Sequence, residues 1–192
     1  MQIHKRINSR KLLLSYLYQY CFFSKLATSA TYASGQTEVP QMKYPDPFFD
    51  EEFLASLQQL RESSAKEGEH FQAKLTEMLT ESVETELPYY LKHFFDKWTN
   101  ADLDMEYLLK VGGQVPQYIK EIETIVDQHT DTFSYAQMDI VDQAIFLLGY
   151  TEHKTLATPK NILINEMIEL TKRYSDDGAP KLINAVMDKV LS

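Results

Sequence analysis

The sequence has little cysteine and little glycine, with one and six residues respectively among 192. The single cysteine, Cys21, excludes an intrachain disulfide and a thiolate-rich metal site, and its apolar surroundings indicate a buried free thiol, which fits a reducing cytoplasm. No run of residues alternates cleanly between apolar and polar, which disfavours β-strands. No stretch reaches the roughly 18–20 apolar residues of a membrane span. The sequence therefore predicts a helical chain that does not cross a membrane.

The remaining composition is that of an ordinary globular domain. Hydrophobic residues make up 44% and charged residues 24% of the chain, so a core can form. A length of 192 residues favours one domain. We therefore expect residues 1–192 to form a single all-α domain, a bundle of about seven helices.

Charge is unevenly distributed along the chain. The net charge is −9, yet residues 1–37 contain no acidic residue. Their five basic residues are Lys5, Arg6, Arg10, Lys11 and Lys25, so residues 38–192 carry −14, with 14 basic and 28 acidic residues. A polyanion responds to the local field rather than to the total charge. The N-terminus is thus a candidate RNA contact, and the alternative is a solvated basic tip with no partner.

The same N-terminus has the layout of a signal peptide: a basic start, an apolar run and then small residues. The hydrophobic segment of a signal peptide is usually more apolar than this run, however, which contains Ser15, Gln19 and three tyrosines. Its polar positions also recur at helical spacing opposite the stripe formed by Leu13, Leu14, Leu17 and Cys21. We favour a half-buried helix in a cytoplasmic protein, and a secreted protein with a mature start near Ser34 remains the alternative.

Periodicity and helix breakers divide the chain into helices and loops. A first helix is expected from about Asn8 or Ser9, either of which could cap it, to about Leu26, followed by a loop over residues 27–47. Further helices are expected at about 48–67, 70–99, 103–110, 116–129, 134–152, 159–174 and 180–191. Thr158 should cap the penultimate helix, with Pro159 at its first position. The predicted buried stripes of the last two helices are Leu163, Met167, Leu170 and Tyr174, and Ile183, Val186, Met187 and Val190.

Three blocks near the C-terminus combine several unlike residues at fixed spacing. They are Asp-Gln-Ala-Ile-Phe-Leu-Leu at 142–148 with Glu152, Ile-Asn-Glu-Met-Ile-Glu-Leu-Thr-Lys at 164–172 after Pro159, and Lys-Leu-Ile-Asn-Ala-Val-Met-Asp-Lys at 181–189. These blocks resemble the NusB family of RNA-binding transcription antitermination factors. Residues 10–18 are similar to the family's first helix. Gln137, Gln143 and Leu147 stand where the family has arginines, and an enlarged middle segment, about 27–100, matches poorly.

The resemblance implies a fold, a function and a set of partners. It implies a NusB-like domain that binds a single-stranded ribosomal-RNA leader element together with the small-subunit ribosomal protein known as NusE. Other elongation factors and RNA polymerase are further possible partners, and the chain would be a monomer or a homodimer. We also expect no cofactor and no metal. The predicted RNA-binding residues are Lys5, Arg6, Arg10, Lys11, Asn165, Lys181 and Asn184.

The residues themselves support part of this interpretation. Arg10 and Lys11 are expected in the first helical turn, where a cation costs up to about 1 kcal/mol unless an anion such as phosphate binds there. Tyr16, Tyr18 and Tyr20 could stack on bases, although at least two should lie in or near the core. Three polar residues, Asn165, Glu166 and Asn184, could touch RNA or pin one helix to the next. We favour pinning, because the small Ala185 beside Asn184 suggests a close helix approach.

Alternative functions remain open. A NusB-fold protein–protein interaction module without RNA binding is allowed by the missing arginines. The NusB-like domain of ribosomal-RNA cytosine methyltransferases is disfavoured, because no glycine-rich nucleotide-binding unit precedes the end at Ser192. Five scattered histidines show no zinc-ligand spacing, and Gly112-Gly113 lacks the lysine of a phosphate loop. We therefore do not expect an enzyme.

Overall fold

The computed structural model describes residues 2–33, 98–130 and 133–191, with side chains for 3–25 of the first range. The described α-helices are α1 (Gln2–Ala33), α2 (Met105–Gly112), α3 (Val115–His129), α4 (Ile140–Leu156), α5 (Lys160–Tyr174) and α6 (Ala179–Val190). Short 3-10 turns lie at Asn100–Asp102 and Tyr135–Gln137, and no described residue lies in a strand. The all-α prediction is confirmed. The helix predicted at 48–67 lies outside the described residues, as does nearly all of that at 70–99.

The first helix spans Gln2–Ala33, so the expected start at Asn8 or Ser9 was wrong, as was the expected end near Leu26 with a loop from residue 27. Neither side chain caps α1, because both bond to the segment before α2. Asn8 Nδ2 donates to the carbonyl of Asp102 at 3.2 Å, and Ser9 Oγ accepts from the backbone N–H of Asp104 at 2.8 Å. Arg10 therefore lies in the third turn, and the argument from the helix dipole, which fades within the first turn, does not apply to it.

The apolar face of α1 packs mainly against α4. The stripe predicted for it, Leu13, Leu14, Leu17 and Cys21, is buried, as expected of a half-buried helix. Burial raises the pKa of the Cys21 thiol to about 12, which agrees with its predicted role as a buried free cysteine. Although α1 is 32 residues long, neither it nor another described helix is long and apolar enough to cross a membrane.

The fourth helix is the centre of the described bundle. It packs against α1, α2, α3, α5 and α6, and its residues 142–152 are all buried. A helix surrounded in this way has no polar face, which explains why apolar residues occupy nearly every position of its middle.

The helix predicted over 134–152 is divided in the structure. Met138 and Asp139 are extended, with ψ of 160° and 145°, and α4 begins only after them. Two side-chain contacts favour the break: Ser134 and Gln137 close the preceding turn as a capping box, and Gln143 Nε2 donates to the carbonyl of Met138 at 2.9 Å. Local hydrogen bonds thus compete successfully with the helix.

The buried stripes predicted for the last two helices are largely confirmed. All four residues predicted for α6 are buried, and Leu163, Met167 and Leu170 are buried on α5. Tyr174 is the exception, with 42% of its surface exposed, because α5 ends there and the chain turns at Ser175. The predicted cap of α5 was also wrong. Pro159 directly precedes the helix, and the Thr158 hydroxyl donates to Glu152 instead.

The close helix approach lies at Gly149 and not at Ala185. Ala185 is exposed on α6. A Cβ built on Gly149 would overlap Cε of Met187 and would lie 3.0 Å from Cγ of Met167. Glycine therefore allows α5 and α6 to pack closely against the central helix.

Replacing Gly149 with valine should destabilise the protein by about 1–3 kcal/mol, because the added methyl groups overpack this contact. Urea unfolding followed by circular dichroism measures the change. Ala185→Val adds the same two methyl groups at an exposed position of α6 and should change the free energy of unfolding by less than about 1 kcal/mol. Equal losses in the two variants would contradict the close approach at Gly149.

Candidate functional site

Arg10 of α1 is the most highly connected of the predicted site residues. Its side chain is 7% exposed and forms a bidentate pair with Glu152 of α4, which is fully buried. Nε donates to Oε2 at 2.8 Å and NH2 to Oε1 at 2.7 Å. The remaining nitrogen, NH1, donates to Oε2 of Glu166 on α5 at 2.7 Å. One guanidinium therefore joins three helices.

The Glu152 carboxylate has two further donors. The hydroxyl of Tyr107 on α2 donates to Oε2 at 2.7 Å, and the Thr158 hydroxyl donates to Oε1 at 3.1 Å. We call Arg10, Glu152, Glu166, Tyr107 and Thr158 the Arg10 network. A buried carboxylate is tolerated when it is paired and its oxygens are hydrogen-bonded, and Glu152 meets both conditions.

The network keeps its central pair charged. Burial by itself would raise the pKa of Glu152, but the hydrogen bonds and charge of Arg10 lower that pKa below its usual range. Burial would likewise lower the pKa of Arg10, and the hydrogen bond and charge of Glu152 raise it above its usual range. Burial and the nearby carboxylate also raise the pKa of Tyr107. At neutral pH the pair is therefore ionised and the tyrosine keeps its proton.

A second connection links α1 to the start of α2. Arg6 Nε donates to Oδ2 of Asp104 at 2.8 Å, and its guanidinium lies 4.6 Å from the centre of the Tyr107 ring. Oδ1 of Asp104 accepts from the backbone N–H of Tyr107 at 3.0 Å and so caps α2. The Asp104 carboxylate thus both caps α2 and pairs with Arg6.

The structure places the predicted RNA-binding residues on three helices. Lys5, Arg6 and Lys11 are half-buried on α1, Asn165 is exposed on α5, and Lys181 and Asn184 are exposed on α6. The bond from Arg10 to Glu166 joins α1 to the helix that carries Asn165. The α6 residues lie on a helix that packs against α3, α4 and α5. A role of these residues in RNA binding stays a prediction.

Two expectations about single residues are confirmed. Glu166 pins α5 to α1 through Arg10, as favoured for it from the sequence, whereas Asn165 and Asn184, for which the same role was favoured, are exposed. At least two of the three α1 tyrosines lie in or near the core, since Tyr20 is buried and Tyr16 packs against the core. Tyr18 is 41% exposed and its ring stacks on that of Phe22, with centroids 6.4 Å apart.

Sequence reasoning missed Tyr107 and Thr158 as members of the network. Tyr107 precedes Leu108 in a short apolar stretch that indicates only a core position, so nothing local marked its hydroxyl as a partner of Glu152. Thr158 did stand out in the sequence, because a threonine before a proline is typical of a helix start, but that pattern indicated a cap of α5 and not a bond to Glu152.

Comparison with known proteins assigns the family. The model of the NusB family matches residues 48–192. The chain belongs to the NusB family. The NusB resemblance expected from the C-terminal blocks is therefore confirmed, and with it membership of a family of transcription antitermination factors.

Several curated relatives carry the name transcription antitermination protein NusB. The protein from Clostridium tetani is 33% identical over 90 residues, which cover 46% of this chain and 59% of that protein. The protein from Chloroherpeton thalassium is 32% identical over 84 residues, covering 43% and 40%. The one from Helicobacter pylori strain Shi470 is 30% identical over 86 residues, covering 45% and 62%. The chain thus spans about 40 to 62% of the length of these relatives.

The NusB match begins after α1, the helix that carries the basic residues. The Arg10 network bridges this boundary, because Arg10 lies before the matched region whereas Glu152 and Glu166 lie within it. The basic helix is therefore docked on the NusB part of the chain by a buried ion pair.

Replacing Arg10 with methionine should destabilise the protein by about 3–5 kcal/mol, because the buried Glu152 loses its counter-charge. The double variant Arg10→Met/Glu152→Met should recover part of this loss, since no unpaired charge then remains in the core. Chemical denaturation provides both values. Arg173→Met, at an exposed arginine, is the control and should change stability by less than about 0.5 kcal/mol. A double variant no more stable than Arg10→Met would contradict the proposed pairing.

The Arg10 network should also make stability depend on pH. Because the pKa of Glu152 is lowered by folding, its contribution is complete above the unfolded pKa, about 4.3, and is lost as pH falls through the folded value. The free energy of unfolding of Glu152→Gln should therefore decline less between neutral and acidic pH than that of the unsubstituted protein. Glu169→Gln, an exposed carboxylate, is the control and should leave the pH profile unchanged.

Proposed function

We propose that this NusB-family chain is an RNA-binding antitermination factor that binds a single-stranded ribosomal-RNA leader element through the basic side of α1. In this role it supports transcription and maturation of ribosomal RNA. The observation that carries the proposal is the docking of α1 onto the NusB part of the chain, since a helix without acidic residues is held there in a defined position.

The α1 cations differ in what they offer an RNA phosphate. Arg6 and Arg10 are paired with carboxylates, whereas Lys5 and Lys11 form no salt bridge among the described residues and are half-buried on the same helix. We assign the main phosphate contacts to Lys5 and Lys11, with Arg6 contributing from its partly exposed position. Arg10 remains in the predicted set, and we assign it chiefly the placement of α1, because Nε, NH1 and NH2 all donate within the network.

Exposed polar residues on the C-terminal helices are further candidates for RNA contact. Asn165, Lys181 and Asn184 are open to solvent, and the two asparagines carry amides that can both donate to and accept from RNA bases. We propose that they complete the RNA contacts outlined by the family resemblance.

A basic protein partner fits the rest of the chain. The 28 acidic residues all lie after residue 37, and three of them, Glu121, Glu123 and Asp127, are exposed on α3. Charge of this sign favours association with a basic ribosomal protein such as NusE. Other elongation factors and RNA polymerase would act with this complex in the cytoplasm. Residues 1–192 would form one domain, and the protein would be a monomer or a homodimer.

The second candidate is a NusB-fold interaction module that does not bind RNA. The pairing of Arg6 and Arg10 with carboxylates favours it, since these arginines have intramolecular partners. The family arginines that this chain lacks give the interaction module less support. Gln143 and Leu147, which stand at two of those positions, are buried, and only Gln137 is exposed.

Binding of a fluorescein-labelled single-stranded ribosomal-RNA leader, followed by anisotropy over a salt series, tests the proposal. Affinity should fall as salt rises, and Lys5→Glu and Lys11→Glu should each weaken binding and reduce the salt slope by about 0.7. Lys110→Glu on α2 is a matched charge reversal at an exposed site outside the proposed surface and should have a smaller effect. Arg10→Glu is unsuitable, because it would bury a third carboxylate beside Glu152 and Glu166.

The experiment separates the two candidates. No binding at low salt, together with capture of the NusE-type ribosomal protein, would favour the interaction module. Salt-dependent binding that Lys5→Glu and Lys11→Glu leave unchanged would move the RNA site away from α1.

A further inference from the structure

Lys11 and Arg173 are brought together by the pairing of α1 with α5. The bond from Arg10 to Glu166 joins the two helices at this point, and Lys11 directly follows Arg10. Arg173 follows Glu166 by two helical turns, so it lies on the same side of α5 as Glu166, about 10 Å farther along. A long lysine and a long arginine can therefore converge at the edge of this contact.

The electrostatics of Lys11 agree with this placement. Burial lowers its pKa, and the positive charge of Arg173 lowers it further. Two cations thus lie within electrostatic reach of each other in a chain that has an excess of carboxylates to pair them with. Like charges repel, and an anion bound between them would remove that cost.

The neighbouring Lys172 has a different environment. Its Nζ bonds to Oε1 of Glu169, one turn earlier on α5, at 2.7 Å. Adjacent cations on one helix therefore differ in their partners, and Arg173 is the one whose charge acts on α1.

An exposed aromatic ring completes the cluster. Tyr174 is 42% exposed, and the guanidinium of Arg173 lies 5.7 Å from the centre of its ring. Cations beside an open aromatic face are the combination used by proteins that bind single-stranded nucleic acid, where phosphates meet the charges and bases stack on the rings.

We propose that Lys11, Arg173 and Tyr174 form a subsite for one phosphodiester and an adjacent base of single-stranded RNA. Lys11 and Arg173 hold the phosphate from two helices, and Tyr174 stacks on the base. The subsite rests on the proposed RNA-binding function, and it extends the RNA surface to the end of α5, where the sequence predicted no contact.

Arg173→Gln and Lys172→Gln form a matched pair of variants for testing the phosphate contact. With the leader RNA probe, Arg173→Gln should weaken binding roughly tenfold and reduce the salt slope by about 0.7. Lys172→Gln removes the same charge one residue away and should leave both quantities nearly unchanged.

Tyr174→Leu tests the stacking contact and should weaken binding roughly fivefold or more, with the salt slope retained. Leu109→Ala, which removes a similarly exposed apolar side chain from α2 outside the proposed RNA surface, is the control and should leave binding unchanged.

A measurement without RNA tests the juxtaposition itself. In an NMR titration of the lysine side chains, the pKa of Lys11 should rise in Arg173→Gln and stay unchanged in Lys172→Gln. A Lys11 pKa that does not respond to Arg173→Gln would overturn the cluster.

The outcomes distinguish the subsite from the function on which it rests. If the unsubstituted chain does not bind RNA at low salt, both proposals fail. If it binds and Arg173→Gln binds as tightly as Lys172→Gln, the subsite fails while the proposed function stands.

Discussion

The buried ion pair between Arg10 and Glu152 joins parts of the chain that are 142 residues apart in sequence. Removing two charges from water is costly, and the bidentate geometry, together with the hydroxyls of Tyr107 and Thr158, offsets that cost. A pair of this kind adds little stability compared with well-packed apolar residues, but breaking it is expensive. It therefore fixes one position of α1 against α4, and the third nitrogen of Arg10 extends the constraint to α5.

This constraint determines which cations the protein presents to a partner. Arg10 and Arg6 point toward carboxylates of other helices, so their charges serve the packing of α1. Lys5 and Lys11 lie on the same helix, and their positions follow from its docking. The same docking places Lys11 within electrostatic reach of Arg173. The proposed RNA surface is thus a consequence of the buried pair, and shifting α1 along its axis would change it.

The apolar periodicity of the sequence predicted the helices well. The stripes of α1 and α6 are buried as expected, because an apolar helix face is buried whichever helix packs against it. Predictions that needed knowledge of a partner failed. Ser9 was expected to cap α1 and bonds to Asp104, and Thr158 was expected to cap α5 and bonds to Glu152. A hydroxyl makes similar hydrogen bonds in both roles, so local sequence does not distinguish them.

The sequence by itself determined the all-α class, the family and the helix faces that form the core. Periodicity and the C-terminal blocks depend only on the order of residues along the chain. Only the tertiary structure decided which of the basic residues are paired inside the protein. Arg10 and Lys11 are adjacent and carry the same charge, yet Arg10 pairs with Glu152 and Glu166, whereas Lys11 lies within electrostatic reach of Arg173. The reason is physical: the free energy of a charge depends on its surroundings, and here the surroundings come from residues far away in sequence.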